Sequence, residues 1–217
     1  MTQTTEDKKV LGIDEAGRGS VLGPLVIGGV LMKEKKLKFL DRIGVKDSKR
    51  LTAKKRTTIS RKIKKITEFE TIIIPADEID HLRNTGVNLN KIETNAMIEI
   101  IRKYHPEKCC IDCIDVNEER FHNRIQHINH KMEVITEHKA DDTYNIVAAA
   151  SIIAKVERDK QMEIIRQEYG AVGSGYPSDK YTINYLKNIE GKYPPFVRQT
   201  WNTVKNLEQK EWKIIIL

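Results

Sequence analysis

Residues 12–30 read GIDEAGRGSVLGPLVIGGV, and this stretch decides how the fold begins. The run KVLGID predicts a first strand, and VLGPLVIGGVLM predicts a second, glycine-rich strand directly after it. Because no helix separates the two, we expect an antiparallel opening pair. Asp14 and Glu15 stand together at the end of the first strand, where like charges repel unless something positive meets them. A neighbouring side chain, a metal ion or water alone could fill that role.

The rest of the chain alternates helical and strand-like segments. Strands are predicted at 69–76, 108–114 and 131–137, and helices at 51–69, 88–104, 117–128, 143–169, 178–189 and 195–209. Such alternation is typical of a three-layer α/β domain, and the antiparallel opening pair makes its sheet mixed.

Basic residues concentrate in one segment. The chain carries a net charge of +7, but residues 33–65 hold 15 lysines and arginines against three acids, a local balance of +12 that leaves −5 for the remainder. A basic block on a mildly acidic body indicates a polyanion partner. A solvated helix face explains the same run equally well, so charge alone leaves both interpretations open.

The composition of the chain indicates where in the cell the protein resides. No run of about 18 apolar residues exists, so we expect no membrane span. The N-terminus, MTQTTEDKKV, lacks the apolar core of a secretory signal, which favours the cytoplasm. Cys109, Cys110 and Cys113 lie in the strand-like KCCIDCID without the second pair that a structural zinc site needs, so we expect buried thiols.

The glycines after Glu15 do not belong to a nucleotide-cofactor loop. A dinucleotide-binding loop needs a helix directly after its glycines, and here they lead into VLGPLVIGGV. Their remaining functional use is close backbone approach to a ligand, whose phosphate or ribose hydroxyl the loop N–H groups could hold. An ordinary hairpin turn is the alternative.

Two further acids occupy comparable places, because Asp112 lies in the strand CCIDCI and Asp141 follows the strand KMEVITEH. Acids at strand ends of an α/β sheet converge on one edge. Four carboxylates without histidine or cysteine ligands suit Mg²⁺ or Mn²⁺. Individually, Asp141 could only cap a helix and Asp112 could only begin a turn.

Six segments together resemble a known family, ribonuclease HII. They are DEAGRG (14–19), KDSK (46–49), KAD (139–141) and VAAASIIAKVERD (147–159), with GSGYPSD (173–179) and PPFVRQTWNTV (194–204) resembling its archaeal and eukaryotic-like branch. The resemblance implies an α/β fold: a ribonuclease H-like mixed sheet flanked by helices, with a helical C-terminal region. It places the catalytic domain over 1–170 and that region over 171–217.

The resemblance also implies residue roles. Its catalytic and metal-binding carboxylates are Asp14, Glu15, Asp112 and Asp141. Its substrate-binding residues fall into three groups. The backbone of Gly17, Arg18 and Gly19 reads a 2′-hydroxyl, and Tyr176 packs on the sugar at the DNA side. Phosphates are held by Lys46, Ser48 and Lys49. Asp142 departs from the family pattern, which has a small or neutral residue there. We expect Asp141 to be the ligand and Asp142 to lie near the start of the long helix.

The implied activity is endonucleolytic hydrolysis of the RNA strand of RNA–DNA hybrids, with cutting 5′ of single ribonucleotides in duplex DNA. Two Mg²⁺ or Mn²⁺ ions roughly 4 Å apart would act on the water and the leaving 3′-oxygen, leaving 5′-phosphate and 3′-hydroxyl ends. The partners are then the hybrid and the ribonucleotide-containing duplex, and we expect a monomer. The rivals are a non-catalytic nucleic-acid-binding module and another nuclease of this fold, such as a junction resolvase.

The tail QKEWKIIIL (209–217) loosely resembles a sliding-clamp-binding box, with Gln first and apolar residues at the fourth, seventh and eighth places. Such boxes usually end in aromatic residues, whereas Ile215 and Ile216 stand here. A weak clamp contact and a terminal segment packed on the body are the two interpretations, and the second is favoured.

Overall fold

The computed structural model describes residues 7–46 and 51–215, with side chains to residue 209. The strands are β1 (Lys9–Ala16), β2 (Leu25–Lys33), β3 (Glu68–Ile74), β4 (Lys108–Asp112) and β5 (Glu133–Glu137). The helices are α1 (Lys38–Ile43), α2 (Ala53–Ile66), α3 (Ala76–Asn84), α4 (Leu89–Tyr104), α5 (Glu118–Gln126), α6 (Ala140–Thr143), α7 (Asn145–Tyr169), α8 (Lys180–Lys187) and α9 (Asn202–Ile215), and a 3₁₀ turn covers Glu34–Lys36.

The five strands form one mixed sheet in the order β3-β2-β1-β4-β5. β4 pairs in parallel with both β1 and β5. The N–H of Glu34, just past β2, donates to the carbonyl of Lys8, just before β1, at 2.8 Å. Since that bond joins the end of one strand to the start of the other, the pair is antiparallel, and the predicted fold class is confirmed.

Two adjacent glycines of β2 show how helices cover both faces of the sheet. Neighbouring strand residues point to opposite faces. A Cβ at Gly28 would lie 2.6 Å from the Ala150 carbonyl oxygen of α7, and one at Gly29 would lie 2.6 Å from Ile100 of α4. Helix α7 therefore lies on one face and α4 on the other, giving the predicted three layers.

The residues group into two compact units built from separate stretches of chain. The first comprises the described parts of 1–16, 27–72 and 93–157, and the second comprises 17–26, 73–92 and the described part of 158–217. The predicted boundary near residue 170 stays a prediction, because the fold alone does not show which segment works as a domain.

The first unit buries the alanine-rich start of α7 against the sheet. Ala148, Ala149 and Ala150 are fully buried in one apolar cluster with Val10 and Val30. At Gly12 an added Cβ would lie 2.3 Å from the Ile146 carbonyl oxygen, so the helix backbone rests directly on β1. The small residues of VAAAS are thus explained by packing.

The second unit has its own apolar core, formed by Val21, Leu22, Met162, Val172, Leu186, Phe196, Val197 and Val204. Much of it is loop. The segments around residues 21, 175 and 197 are joined by main-chain hydrogen bonds, including those from the N–H groups of Val21 and Leu22 to the Gly175 carbonyl.

Several elements and boundaries differ from the sequence prediction. β2 begins at Leu25, because Gly23 takes a left-handed turn (φ 80°) and Pro24 follows. Helix α3, which is nine residues long and begins directly after Pro75, was not predicted. The last helix begins at Asn202 and not at Pro195, because Val197 bridges to Leu22 and the Arg198 N–H donates to the Val21 carbonyl.

The basic segment contains the amphipathic helix that its pattern predicts, since α2 buries Ile63 and exposes most of its lysines. All three cysteines are buried and free, as expected. Among residues 7–46 and 51–215, no helix combines the length and apolar character needed to cross a bilayer.

Candidate active site

Three acids meet at one edge of the sheet. Ile13 of β1 lies opposite Ile111 of β4 in the parallel ladder. The next residues, Asp14 and Asp112, therefore lie close together near the carboxyl ends of the two strands. One carboxylate oxygen each of Asp14, Glu15 and Asp112 lies within 4.8 Å of the other two. Parallel pairing of β1 with β4 is therefore what converts distant sequence positions into one cluster.

Asp14 is a buried member of the cluster with a raised pKa. Burial raises the pKa of its carboxyl well above the usual range, and the nearby carboxylates of Glu15 and Asp112 raise it further. The Glu15 N–H, which donates to Asp14 Oδ1 at 2.8 Å, opposes this rise only in part. A cation that joins the cluster would favour the ionised form.

A serine and a lysine of α7 support Asp14. The Lys155 ammonium donates to Ser151 Oγ at 2.7 Å. Because an ammonium can only donate, Ser151 accepts from it and its own hydroxyl hydrogen stays available. That hydroxyl hydrogen-bonds the Asp14 carboxylate and lowers its pKa. Lys155 therefore acts on Asp14 through Ser151.

Asp141 lies beside this cluster but outside the 4.8 Å group. Asp112 Oδ1 accepts a hydrogen bond from the N–H of Ala140, the preceding residue, at 2.7 Å. Asp141 is only 7% exposed, whereas Asp142 is exposed. Both acids belong to the short helix α6, and the first turn of α7 holds no acid. Asp142 thus lies near the start of the long helix, as expected, but on the separate short helix α6. The burial of Asp141 favours it as the ligand.

The donor set fits a hard divalent cation. Asp14, Glu15 and Asp112 offer only carboxylate oxygens, which Mg²⁺ and Mn²⁺ accept and softer metals do not select. Buried carboxylates held this close repel one another, as the raised pKa of Asp14 records. A bound cation would remove that repulsion, so the residues present fit the metal that the sequence implied.

The glycine loop forms a tight turn in the second unit. Gly17 has φ 88°, and a Cβ there would lie 2.5 Å from Arg158 Nε and 2.7 Å from the Pro24 carbonyl oxygen. Gly19 differs, because it is exposed and an added Cβ would meet nothing within 4 Å. Gly17 is thus explained by backbone geometry and packing, and Gly19 is where a ligand can approach the main chain.

Arg198 fixes this loop from beneath. Its guanidinium is fully buried, with Nε donating to the Gly23 carbonyl at 3.0 Å and Nη1 donating to the Arg18 carbonyl at 3.1 Å. Burial and the neighbouring charge of Arg158 lower its pKa. The sequence analysis quoted this arginine within PPFVRQTWNTV without giving it a role. Its lone positive charge inside an apolar segment was the available signal.

Tyr176 lies on a second loop that is tied to the first. The Gly175 carbonyl accepts hydrogen bonds from Val21 and Leu22 N–H. The Arg158 guanidinium stacks over the Tyr176 ring at 4.7 Å and donates to the Ser174 carbonyl at 3.1 Å. The structure therefore brings the glycine loop and Tyr176 together within the second unit. Lys46 is exposed, and Ser48 and Lys49 lie outside the described residues.

A family model described as Ribonuclease HII matches residues 11–204. The chain belongs to the ribonuclease HII family. It is 69% identical over 203 residues to the ribonuclease HII of Methanosphaera stadtmanae, covering 93% of this chain and 96% of that protein. The crystal structure of the ribonuclease H2 from Pyrococcus horikoshii is similar with a TM-score of 0.87 and 41% identity, over 94% of this chain and 99% of that one.

A further similar structure is that of a PCNA:RNase HII complex from Archaeoglobus fulgidus, with a TM-score of 0.86 and 40% identity over 92% of this chain and 97% of that one. Ribonuclease HII homologues are metal-dependent hydrolytic endoribonucleases that act on the RNA of RNA–DNA hybrids. Membership therefore makes this chain a metal-dependent endoribonuclease, and the acidic cluster of the first unit agrees with it.

Proposed function

We propose that the chain cuts RNA–DNA hybrids and also cuts duplex DNA on the 5′ side of a single ribonucleotide, leaving 5′-phosphate and 3′-hydroxyl ends. The observation that carries the proposal is the carboxylate cluster, which unites Asp14, Glu15 and Asp112 within 4.8 Å. The glycine loop that begins at Gly17, immediately after this pair of acids and Ala16 in the chain, adds the means to recognise a sugar.

Asp14, Glu15, Asp112 and Asp141 would hold two cations, Mg²⁺ or Mn²⁺. When bound, such ions supply activation of a water and stabilisation of the leaving 3′-oxygen. The residues of the chain position the ions and need no covalent chemistry of their own. Ser151 and Lys155 keep the Asp14 carboxylate oriented toward the cluster through their hydrogen bonds.

Selectivity for RNA must depend on the 2′-hydroxyl. The exposed backbone at Gly19 is open to a ribose, while Gly17 and the Arg198 hydrogen bonds hold the turn in one conformation. Tyr176, its ring braced by Arg158, would pack on the neighbouring deoxyribose. A fixed loop discriminates because it cannot relax to compensate for a missing hydroxyl.

Lys46, Ser48 and Lys49 would hold backbone phosphates as part of the basic segment. If they do, replacing Lys49 weakens binding and reduces the slope of log K against log salt, because fewer counterions are released. An unchanged slope would return the basic segment to a solvated helix face.

One assay separates the proposal from its rivals. The protein is incubated with Mg²⁺ or Mn²⁺ and a DNA duplex carrying one ribonucleotide, beside an all-DNA duplex of the same sequence. We expect a single cut 5′ of the ribonucleotide and none in the control. Cutting of both duplexes would favour a nuclease of different specificity, and cutting of neither would favour a binding module.

A sliding clamp is a second proposed partner, through the tail 209–217. The support is the PCNA complex formed by the similar Archaeoglobus fulgidus protein, together with the loose box in the sequence. The decisive side chains of the tail lie outside the described residues. Deletion of 209–217 should abolish clamp pull-down, and an unchanged pull-down would dispose of the idea. Cytoplasmic localisation and a monomeric state stay predictions.

A further inference from the structure

The proposed recognition of the sugar uses the backbone of the glycine loop and assigns no role to the Arg18 side chain. Within the second unit it lines a cavity of about 410 Å³ together with Gly19, Arg83, Trp201, Asn202 and Thr203. Since Gly19 borders the same cavity, the surface proposed to read a sugar continues directly into it.

The cavity is cationic. Arg18 and Arg83 both line it, and none of its described lining residues is acidic. The Arg18 guanidinium is oriented by a hydrogen bond from Nη2 to Asn90 Oδ1 at 2.6 Å. Arg83 stacks on the Trp201 ring at 4.8 Å, and its buried Nε has no hydrogen-bond partner among the described residues. Two positioned guanidiniums form the donor arrangement that suits a phosphate.

Asp80 is an acid on the same helix as Arg83 but outside the cavity lining. Asp80 precedes Arg83 by almost one turn of α3, but its carboxylate accepts from the N–H groups of Gln199 and Thr200 and from the Thr200 hydroxyl. It serves to anchor the segment that leads into Trp201. The buried guanidinium of Arg198, 4.9 Å from the Trp201 ring, adds further positive charge behind the cavity wall.

The start of α9 strengthens the same field. The helix begins at Asn202 and has no acidic residue in its first turn, so its positive end at the cavity wall is not offset locally. This contribution is secondary to the guanidiniums, whose charge and fork geometry determine which ligand fits.

We propose that this cavity binds a backbone phosphate of the nucleic acid whose sugar is read by the adjacent glycine loop. The identity of the ligand rests on the proposed function, whereas the preference for a phosphate rests on Arg18, Arg83 and the absence of acids from the described lining. The loop thus acts in two ways, through its backbone on a sugar and through its arginine side chain on a phosphate.

The test measures duplex binding in EDTA, where no cleavage occurs, for the full chain and for Arg83→Gln. We expect Arg83→Gln to reduce the slope of log K against log salt by about 0.9, the value for one phosphate contact. The loss should be equal for the all-DNA and the ribonucleotide duplex, because phosphate contacts carry no sequence information. Arg83→Lys, which keeps the charge, should retain the slope of the parent.

The matched control is Arg124→Gln, which makes the same charge change at an exposed position of α5 outside the cavity lining. Slopes that fall equally in Arg83→Gln and Arg124→Gln, or in neither, overturn the proposal. Inorganic phosphate is the second probe. If it raises the melting temperature of the parent but not of Arg83→Gln while the duplex slopes agree, the cavity takes free phosphate and the assignment to nucleic acid is overturned.

Failure here is distinguishable from failure of the proposed function. Specific cleavage of the ribonucleotide duplex with an unchanged Arg83→Gln slope removes only the cavity proposal. A reduced slope without ribonucleotide-specific cleavage keeps the phosphate site and removes the specificity proposed for the active site.

Discussion

Two clusters of buried charge, one in each unit, differ in how the charge is satisfied. In the first unit, Asp14 is crowded by Glu15 and Asp112 and receives help from the Ser151 hydroxyl. In the second, Arg158 and Arg198 donate to main-chain carbonyls of Ser174, Gly23 and Arg18. The arginines have fixed partners from their own unit, whereas the acids still favour an added cation.

This difference is the one expected between a site that binds a ligand, the acids of the first unit, and a structural support, the arginines of the second. A buried arginine that donates to main-chain carbonyls holds them in place, and its removal leaves those carbonyls without a donor. A cluster of like charges does the reverse, since deleting one member relieves repulsion at the expense of function. The two clusters should therefore respond oppositely to neutralisation.

The largest effect should come from Asp141. We expect Asp141→Asn to reduce cleavage of the ribonucleotide duplex by about 10²–10³-fold, the range for losing one charge that stabilises the transition state. Asp142→Asn is the matched control, because that side chain is exposed, and it should retain cleavage within about twofold. If Asp141→Asn retains cleavage and Asp142→Asn loses it, the ligand was assigned one residue too early.

Replacement of Arg198 should be the most destabilising change in the scaffold. Arg198→Met leaves the Gly23 and Arg18 carbonyls without their donor, which should lower the free energy of unfolding by about 2–4 kcal/mol. Arg198→Lys should rescue little, because a single ammonium cannot reproduce the fork. Urea denaturation measures both. A loss below about 0.5 kcal/mol would contradict the scaffold role.

Asp14 should make the metal-free protein less stable as pH rises. Its native pKa lies above the unfolded value because of burial and its acidic neighbours. Between the two values the native state holds the proton more tightly, so the contribution of Asp14 to stability is highest at low pH and declines as pH rises past the unfolded value near 4. Asp14→Asn should lack this decline. Denaturation at several pH values in EDTA tests this, and identical profiles would contradict it.

The smallest effect should come from Lys155. Lys155→Met removes the donor that orients Ser151, and one such hydrogen bond corresponds to about two- to tenfold in kcat. Lys155→Gln can still donate to Ser151 and should restore much of the rate, which loss of charge alone would not allow. Equal rates for the Met and Gln variants would show that the hydrogen bond is not what matters.

The sequence predicted the layers and the acid cluster because both depend on local pattern. Alternating apolar runs locate the strands, and parallel pairing then brings Asp14 to Asp112. The roles of Arg198 and Asp80 could not be predicted in this way. Their partners lie 175 and about 120 positions away in the chain, and no periodicity records such a distance.

The sequence analysis missed short elements for a related reason. Helix α6 has four residues, too few for any helical pattern, so it was not predicted as an element separate from the long helix. The start of α9 was misplaced because hydrogen bonds to residue 21 hold the segment before it, and local helix propensity does not include such tertiary bonds.

The glycine at position 12 has a consequence for how far this enzyme can be redesigned. There the strand meets the carbonyl of Ile146 with no side chain between them, and a methyl group would stand 2.3 Å from that oxygen, where real contacts begin beyond 3.0 Å. Direct contact between the two main chains therefore sets the distance between β1 and α7, and hence the distance between Asp14 and Ser151. A single carbon atom added at residue 12 would change this spacing.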